Sequence, residues 1–232
     1  MEILSIIPGR GGSKRIPKKN IKNFSGKPLL AYTAEVALSC KKINRTILST
    51  DNKEIRDIGL ELGLEVPFLR PAELSDDDTP TLLVIKHLLK KLSENEKYKP
   101  DVIILLQPTS PLRNKKHVNE ALNIFMNNNY ADSLVSTIKV PHNMNPFSVM
   151  KLNKNGILSP FLEYDELDNI RQKKPVFYAR NGAAIYIVKY SCIMEKNSLY
   201  GDKILNYEMP KEYSIDIDDE IDWKIAEYLL NN

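Results

Sequence analysis

The sequence predicts an α/β protein with a mostly parallel central sheet and helices on both faces of that sheet. Three observations predict this class. β-Branched and apolar runs alternate with amphipathic stretches along most of the 232 residues. The run at 101–106 has an entirely apolar core, as expected of a strand covered on both faces. Polar or glycine-rich segments follow several of these runs, where an open parallel sheet binds its ligands.

The first half of the chain contains three strand–helix pairs. Pro28 suits the first turn of a helix, where its missing N–H has no partner to lose. Gly63 suits the end of another helix, because glycine adopts left-handed backbone angles without strain. The predicted strands are 3–7, 45–50 and 65–69, and the predicted helices are 28–38, 51–62 and 81–92.

The second half keeps this alternation but is interrupted once. From 141 to 175 the sequence is irregular, with a turn at 153–156 and a polar stretch at 163–174. We therefore expect one Rossmann-like domain over residues 1–232, with a small inserted element at about 141–175. The predicted elements are strand 101–106, helix 116–126, strand 133–140, a hairpin at 150–158, a parallel strand at 183–188 and a final helix at 220–230.

Composition limits the classes of function. The formal net charge is only +3, which argues against a nucleic-acid binder or a protein of anionic membrane surfaces. No run approaches the ~20 apolar residues of a membrane span, and the N-terminal apolar run is too short for a signal peptide. Cys40 and Cys192 have no partner motif, so we expect reduced thiols and a cytoplasmic protein.

The segment after the first strand is the strongest functional signal. Six basic residues lie within 10–22 without an acid among them, and Gly11 and Gly12 let the backbone approach a ligand. The fifth residue after Gly9 is Lys14, which excludes a Walker A loop, and no Gly-x-Gly-x-x-Gly pattern is present. A solvated basic turn is the plain alternative. The position directly after a strand favours a polyphosphate-binding loop.

A second motif, Gln107-Pro108-Thr109-Ser110-Pro111-Leu112-Arg113, follows strand 101–106. Its prolines stiffen the turn, and its amide, hydroxyl and guanidinium groups are suited to a polyhydroxylated ligand. The alternative is a proline-rich turn that begins the next helix. Because the basic loop, Arg70-Pro71 and this motif all follow predicted strands, we expect them to converge on one crevice.

The third motif is acidic and lies near the C-terminus. In a strand, Asp216 and Asp218 would point to the same side, and paired carboxylates are typical Mg²⁺ ligands that repel each other without a cation. An acidic helix N-terminus is the alternative, and both can hold. We assign Asp216 and Asp218 to a metal, and Asp219, Glu220 and Asp222 to capping or solvated charge. With the basic loop, this pair predicts chemistry on a nucleoside triphosphate.

Together these segments resemble the acylneuraminate cytidylyltransferases, the CMP-sialic acid synthetase family. The resemblance spans nearly the whole chain and implies an enzyme that joins CTP to a nine-carbon 2-keto-3-deoxy sugar acid and releases pyrophosphate. N-acetylneuraminate, legionaminate and pseudaminate all stay open as the sugar. The matching segments, in order, are Arg10-Gly11-Gly12-Ser13-Lys14, Lys19-Asn20, Arg70-Pro71, Gln107 to Arg113, Arg171-Gln172, Asn181-Gly182-Ala183 and Asp216-Ile217-Asp218.

The resemblance also implies roles for individual residues. Catalytic roles fall to Arg10, Lys14, Lys19, Asp216 and Asp218, and the two aspartates would bind Mg²⁺ or Mn²⁺. Nucleotide-binding roles fall to Gly11, Gly12, Ser13, Asn20, Arg70 and Thr81. Sugar-binding roles fall to Gln107, Arg171 and Asn181. We further expect a homodimer, with the inserted element reaching over the partner's site.

Two other functions stay open. A cytidylyltransferase for 3-deoxy-octulosonic acid would share the fold and the chemistry, but we expect it to have a different arginine-rich opening and no Gln107-type motif. The non-enzyme alternative is a regulatory module that binds a nucleotide without turnover. Lys19, Asp216 and Asp218 are all intact, which argues against that alternative.

Overall fold

The computed structural model describes residues 1–162 and 175–232. The strands are β1 (Ile3–Pro8), β2 (Asn23–Phe24), β3 (Lys27–Pro28), β4 (Arg45–Ser49), β5 (Val102–Leu105), β6 (Ser133–Lys139), β7 (Met150–Leu152), β8 (Leu158–Pro160), β9 (Tyr178–Arg180), β10 (Tyr186–Lys189) and β11 (Ile204–Glu208). The helices are α1 (Leu29–Ser39), α2 (Lys53–Glu61), α3 (Thr81–Glu96), α4 (Lys115–Met126), α5 (Tyr190–Met194) and α6 (Glu220–Asn231). Short 3-10 helices lie at Lys19–Ile21, Ala72–Leu74, His142–Met144 and Lys211–Tyr213.

The central sheet has the strand order β11–β6–β10–β5–β1–β4, and β9 also pairs with β6. β1 is parallel to β4 and β5, and β11 is parallel to β6. β10 is antiparallel to both of its neighbours, and β9 is antiparallel to β6. β2 with β3 and β7 with β8 form two separate hairpins. The predicted class, a mostly parallel Rossmann-like sheet, is confirmed.

Helices cover both faces of the sheet, as the apolar strand sequences predict. Ile3 and Ile7 of β1 pack into the layer that contains α1, α2 and α4. Leu4 and Ile6 point to the opposite side and pack into the layer that contains α3 and α5. Burial on both faces explains why β1 and β5 read as continuous apolar runs.

A third apolar cluster joins the two ends of the chain. Ile16 and Phe24, from the N-terminal region, pack with Ile217 and Trp223. The rings of Phe24 and Trp223 meet edge to face, with 5.1 Å between their centroids. This cluster holds the acidic segment at 214–218 beside the basic loop at 9–20. Packing between the two ends of the chain therefore fixes where the site can form.

Three sequence predictions about local structure are wrong. Residues 65–69 form no strand, because only Glu65 bridges to Ile47 and Pro67 has no N–H to donate. The strand predicted at 183–188 begins at Tyr186 and is antiparallel to its neighbours. β9 and β10 both run antiparallel to β6, so the chain keeps the direction of β9 when it enters β10. Residues 214–218 form no strand, because contacts with the basic loop and the 107–113 loop hold them instead of a neighbouring strand.

Candidate active site

The predicted site residues converge on one cleft at the carboxyl ends of β1 and β5. Its volume is about 270 Å³. Lys14 lies in an adjoining depression that also contains Lys19 and Asp218. Opposite charges from the two ends of the chain therefore face a common space. The predicted residues that line the cleft are Arg10, Ser13, Lys19, Asn20, Arg70, Thr81, Gln107, Asp216 and Asp218.

The basic loop is held in place by hydrogen bonds from two sides. The Gly11 N–H donates to Oδ1 of Asp51 at 2.9 Å, and the Asn20 side chain donates to the Arg10 carbonyl at 2.9 Å. A methyl group on Gly11 would lie 2.9 Å from the Asn52 side chain, so a larger residue would push the loop away. Gly12, in contrast, has open space around it, which leaves its backbone accessible to a ligand.

Two cations of the loop already have an acidic partner within the chain. Arg10 lies 2.5 Å from Asp77, and Lys14 pairs with the same carboxylate. The Asp77 carboxylate raises the pKa of Lys14, and the Lys14 ammonium lowers the pKa of Asp77. Asp77 thus occupies the place where a phosphate group would meet these cations.

Arg70 forms part of the inner wall of the cleft. Its side chain is only 4% exposed, and burial lowers its pKa, which the Asp51 carboxylate at 3.6 Å opposes. Its Nε donates to the Ser75 hydroxyl at 3.1 Å, while Nη2 has no hydrogen-bond partner in the described part of the chain. Nη2 is the atom that lies 3.6 Å from Asp51, so it has an ionic partner but makes no hydrogen bond, and it is suited to a polar group of a ligand.

The aspartate pair faces the basic loop. Lys19 Nζ donates to the carbonyl oxygen of Ile217, the residue between Asp216 and Asp218, at 2.6 Å. Burial lowers the pKa of Lys19, and the charges of Asp218 and Asp216 oppose this shift. The Ile217 N–H donates to the Thr109 carbonyl at 2.8 Å. The pair is therefore held between the basic loop and the 107–113 loop, rather than in a sheet.

Asp216 has the properties of a carboxylate that is suited to bind a cation. Its Oδ1 is buried and has no hydrogen-bond partner in the described part of the chain. Burial raises its pKa, the Thr109 hydroxyl acts against this shift, and the charge of Asp218 adds to it. Among residues 1–162 and 175–232, no group of three or more His, Cys, Asp or Glu side chains could hold a metal. Two carboxylates plus substrate phosphates are a common way to bind Mg²⁺, so the donor set fits that ion.

An irregular segment between β9 and β10 supports Asp216 from behind. Gly182 has φ +66°, and a methyl group there would lie 2.5 Å from Oδ2 of Asp216. Asn181 is buried beneath it: its Oδ1 accepts from Ser136, and its Nδ2 donates to the Ser214 hydroxyl at 3.0 Å. Asn181 is not among the described residues that line the cleft, so a direct sugar contact by Asn181 stays a prediction.

The 107–113 loop offers fewer polar groups to a ligand than the sequence predicts. The Arg113 guanidinium is fully buried rather than offered to a ligand, and burial lowers its pKa to about 9. It donates to the carbonyl oxygens of Gln107 at 3.1 Å and Ala184 at 2.8 Å, and to the Thr33 hydroxyl. Arg113 thus fixes the backbone that positions the Gln107 side chain.

A second cavity, of about 730 Å³, adjoins the cleft. Thr81 and Gln107 line both spaces, so a ligand could extend from one into the other. Gly182, Tyr186 and Tyr200 also line the second cavity. Arg171, predicted to contact the sugar, lies outside the described residues.

Comparisons with known proteins bear directly on this arrangement. A family model described as Cytidylyltransferase matches residues 4–230. The chain belongs to the cytidylyltransferase family. It is therefore a nucleotidyltransferase by family, and the resemblance to the acylneuraminate cytidylyltransferases expected from the sequence is confirmed.

Two curated relatives and one solved structure indicate the range of similarity. This cytidylyltransferase is 34% identical over 232 residues to the CMP-N,N'-diacetyllegionaminic acid synthase of Legionella pneumophila, which covers 99% of the chain and 97% of that protein. It is 34% identical to the N-acylneuraminate cytidylyltransferase of Escherichia coli O18:K1:H7 over 97% of the chain, and spans 51% of that longer protein. A CMP:2-keto-3-deoxy-manno-octonic acid synthetase complexed with CTP superposes with a TM-score of 0.73 over 100% of this chain and 99% of that one, at 16% identity, which supports the fold alone.

Sequence reasoning missed several residues of the cytidylyltransferase site. Asp77 lies in an acidic run, 76–78, between the predicted Arg70 and Thr81, and that run opposite a basic loop was a usable signal. Asp51, which holds Gly11, directly follows the predicted strand 45–50. Arg180 adjoins the matched Asn181, but nothing in its sequence context points to a cavity. No helix in the described ranges is both long and apolar enough to cross a membrane.

Proposed function

We propose that this cytidylyltransferase joins CTP to a nonulosonic acid, a sialic-type sugar acid, and releases pyrophosphate. One observation carries the proposal: basic side chains and a pair of aspartates line one cleft, which opens past Gln107 into a larger cavity. In the reaction, the 2-hydroxyl oxygen of the sugar bonds to the α-phosphorus. The bond from that phosphorus to the oxygen bridging to the β-phosphorus breaks, and the hydroxyl proton leaves to solvent.

Arg10, Lys14 and Lys19 would hold the β- and γ-phosphates, together with the exposed loop backbone at Gly12, because the Gly11 N–H already donates to Asp51. Their positive charge is worth most where negative charge develops, on the departing pyrophosphate. Ser13 and Asn20 would complete the loop. Asn20 would act by holding the Arg10 carbonyl, which fixes the backbone of the loop.

Asp216 and Asp218 would hold Mg²⁺, and Mn²⁺ is an alternative ion for oxygen ligands. The buried, unpartnered Oδ1 of Asp216 supports this assignment. When bound, the ion would neutralise phosphate charge and lower the pKa of a nearby hydroxyl. Lys19, which donates to the backbone between the two aspartates, would keep their spacing and limit their repulsion.

We assign the nucleoside to the inner wall of the cleft and the sugar to the second cavity. Arg70, whose Nη2 makes no hydrogen bond in the described part of the chain, and Thr81, at the start of α3, would contact the nucleoside. Gln107 lies at the junction and would orient the sugar, with Arg171 as a further contact from outside the described residues. Asn181 would act through the segment that supports Asp216. The relatives' names make N-acetylneuraminate and a legionaminate the first sugars to test.

We also propose a homodimer formed through the inserted element. The β7–β8 hairpin and its surroundings carry apolar side chains that the described chain leaves exposed. Light scattering should give about twice the chain mass, and Leu152→Asp with Leu158→Asp should halve it. A monomeric wild type would contradict the proposal. The exposed residues are Val149, Met150, Leu152, Ile157, Leu158, Phe161, Val176 and Tyr178.

A cytoplasmic location is part of the proposal. Both cysteines, Cys40 and Cys192, are buried and free, as expected in a reducing compartment. CTP is also a cytoplasmic metabolite. Fractionation of cells that express a tagged chain would test this point, and recovery from a membrane or external fraction would contradict it.

The decisive experiment is a substrate panel. Purified protein, Mg²⁺ and CTP are incubated with N-acetylneuraminate, legionaminate, pseudaminate or 3-deoxy-octulosonate, while pyrophosphate release and CMP-sugar mass are followed. We expect turnover with at least one nine-carbon acid and little with the eight-carbon acid. Replacing CTP by the other nucleoside triphosphates tests the base. Binding of CTP and Mg²⁺ without pyrophosphate release from any acid would favour the regulatory module instead.

A further inference from the structure

The second cavity differs from the nucleotide cleft in its charge. Arg180 is the only charged side chain among the described residues that line it, and the others are apolar, aromatic or neutral polar. Among the described residues, Arg180 is therefore the cation that a carboxylate-bearing ligand would meet in this space. That cation is the last residue of β9, and it lies two positions before Gly182.

Arg180 is oriented by an aromatic ring rather than by an acid. Its guanidinium lies 4.9 Å from the centre of the Tyr200 ring, and Nη1 donates to the Tyr200 hydroxyl. Within residues 1–162 and 175–232, no carboxylate lies within ion-pair distance of Arg180, and the residue is exposed. A stacked guanidinium keeps its plane fixed while its remaining donors stay available, and its planar fork matches a carboxylate.

The position of Arg180 also suits the chemistry at the neighbouring Asp216. Two residues of chain span at most about 7 Å, so Arg180 lies close to Gly182, the residue that packs against Asp216. In a 2-keto-3-deoxy acid the carboxylate is attached to the carbon that bears the reacting hydroxyl. A cation that holds the carboxylate therefore also restricts where that hydroxyl can lie.

We propose that Arg180, held against Tyr200, binds the carboxylate of the sugar acid and makes this enzyme select acids over neutral sugars. The inference rests on the proposed function, which supplies the acid. It assigns to Arg180 a substrate contact, and to Tyr200 the positioning of that contact. The alternative is that Arg180 serves only to pack Tyr200 against β9.

The test compares Arg180→Met, Arg180→Lys and wild type with the sugar acid and with its C1 amide. Arg180→Met should raise the KM for the acid about tenfold to hundredfold, the loss expected for a charge-assisted hydrogen-bonded pair. The KM for CTP should stay unchanged, and the preference for acid over amide should disappear. Arg180→Lys should restore part of that preference. The matched control is Lys203→Met, which removes another cation that lies over an aromatic ring. Lys203 lies in the loop that carries Tyr200, 5.9 Å from the centre of the Tyr130 ring, and it does not line the cavity.

Each outcome separates the two proposals. If wild type releases no pyrophosphate with any nonulosonate, the proposed function fails. If wild type turns over but Arg180→Met keeps the acid-over-amide preference, the assignment of Arg180 is overturned. If Arg180→Met weakens the binding of CTP and of the acid together, Arg180 has only a structural role, and its assignment as a substrate contact is also overturned. If Arg180→Met does not fold, the acid-to-amide ratio of Arg180→Lys decides, because a contact residue changes that ratio and a packing residue does not.

Discussion

The nucleotide cleft and the second cavity hold their cations in opposite ways. In the cleft, Arg10 and Lys14 share Asp77, and Arg70 faces Asp51. In the second cavity, Arg180 has a tyrosine ring instead of an acid. The positive charges of the cleft are thus paired with carboxylates of the chain itself. The charge of Arg180 in the second cavity has no such carboxylate among the described residues.

This difference implies two ways of recognising an anion. Under the proposed function, a triphosphate would displace the Asp77 carboxylate from Arg10 and Lys14, and its several negative charges favour that exchange. The Lys14 contact is weak enough to exchange, because the Lys14 side chain is 83% exposed and water and salt screen an ion pair at the surface. A singly charged sugar acid could not compete there, but it needs no exchange at Arg180. Charge pairing would therefore help direct each substrate to its own cavity.

The largest expected effect is in the nucleotide cleft, at the aspartate pair. Asp218→Asn should lower kcat on the order of 10²–10³-fold, because it removes one of two proposed cation ligands at the reacting phosphate. Steady-state pyrophosphate release over a Mg²⁺ series measures it. Circular dichroism should stay native, since the Asp218 side chain is largely exposed.

Glu220→Gln is the matched control for that experiment. Glu220 is an exposed carboxylate two residues further on, and it pairs with Lys22 outside the cleft. We expect it to keep the wild-type rate and the wild-type Mg²⁺ dependence. Wild-type turnover in Asp218→Asn would remove the metal role from the aspartate pair.

The next effect in size tests the wall that separates the cavities. Gly182→Ala places a methyl group 2.5 Å from Oδ2 of Asp216 and should shift that carboxylate. We expect kcat to fall about tenfold to hundredfold, as misplacement of a reacting group typically does. Gly156→Ala is the control, since Gly156 has a similar φ of +77° but no atom within 4 Å of the added group.

Both glycine variants should lose about 1 kcal/mol of folding stability, because alanine is strained at positive φ. Chemical denaturation measures that shared loss, and the difference in kcat isolates the contact with Asp216. Equal rates in the two variants would mean that Gly182 matters for its backbone angles alone. The two cavities would then not share a functional wall.

A smaller effect tests the exchange at Asp77. Asp77→Asn frees Arg10 and Lys14, so CTP should bind about twofold to fivefold more tightly, the range set by an exposed ion pair. Titration calorimetry measures this, and the gain should shrink at high salt. Asp57→Asn, which removes an exposed carboxylate paired with Arg56 on α2, is the control. Weaker binding in Asp77→Asn would show that Asp77 orients the cations instead of competing for them.

The cleft could be predicted from sequence far better than the second cavity. Arg10, Lys19, Asp216 and Asp218 stand out because charged residues cluster locally in the chain, next to glycines or a strand end. Arg180 and Tyr200 are brought together only by the pairing of β9 with β6 and by the loop before β11. No local pattern encodes that contact.

The fold shows the same division. The parallel half, with β1, β4 and β5, was predicted well because burial on both faces leaves continuous apolar runs in the sequence. The reversed direction of β10 was missed, because strand direction depends on where the inserted element returns the chain. Arg113 was misjudged for a related reason: its burial comes from Thr33 and Ala184, which are distant in sequence.

The smallest expected effect is at Asp132, which anchors the loop that carries Tyr200. Its Oδ2 accepts hydrogen bonds from the N–H groups of Asp202 at 2.8 Å and Lys203 at 3.1 Å. With the Lys196 ammonium as the largest cause, these contacts lower the pKa of Asp132 to about 2. Asp132→Asn should slightly raise the KM for the sugar acid and leave the KM for CTP unchanged, because the loop lines only the second cavity.

The pH dependence of stability gives an independent check on that anchor. Because folding lowers the pKa of Asp132, its contribution is complete above the unfolded value near 4 and is lost as pH falls toward 2. Asp132→Asn should therefore be less stable than wild type at pH 7, and denaturation curves should show the gap closing between about pH 4 and pH 2. Asp202→Asn, which removes an exposed partner of the same Lys196, should show a smaller gap. A gap that is constant with pH would mean the carboxylate charge does not hold the loop, and equal KM changes for both substrates would mean the two cavities are not independent.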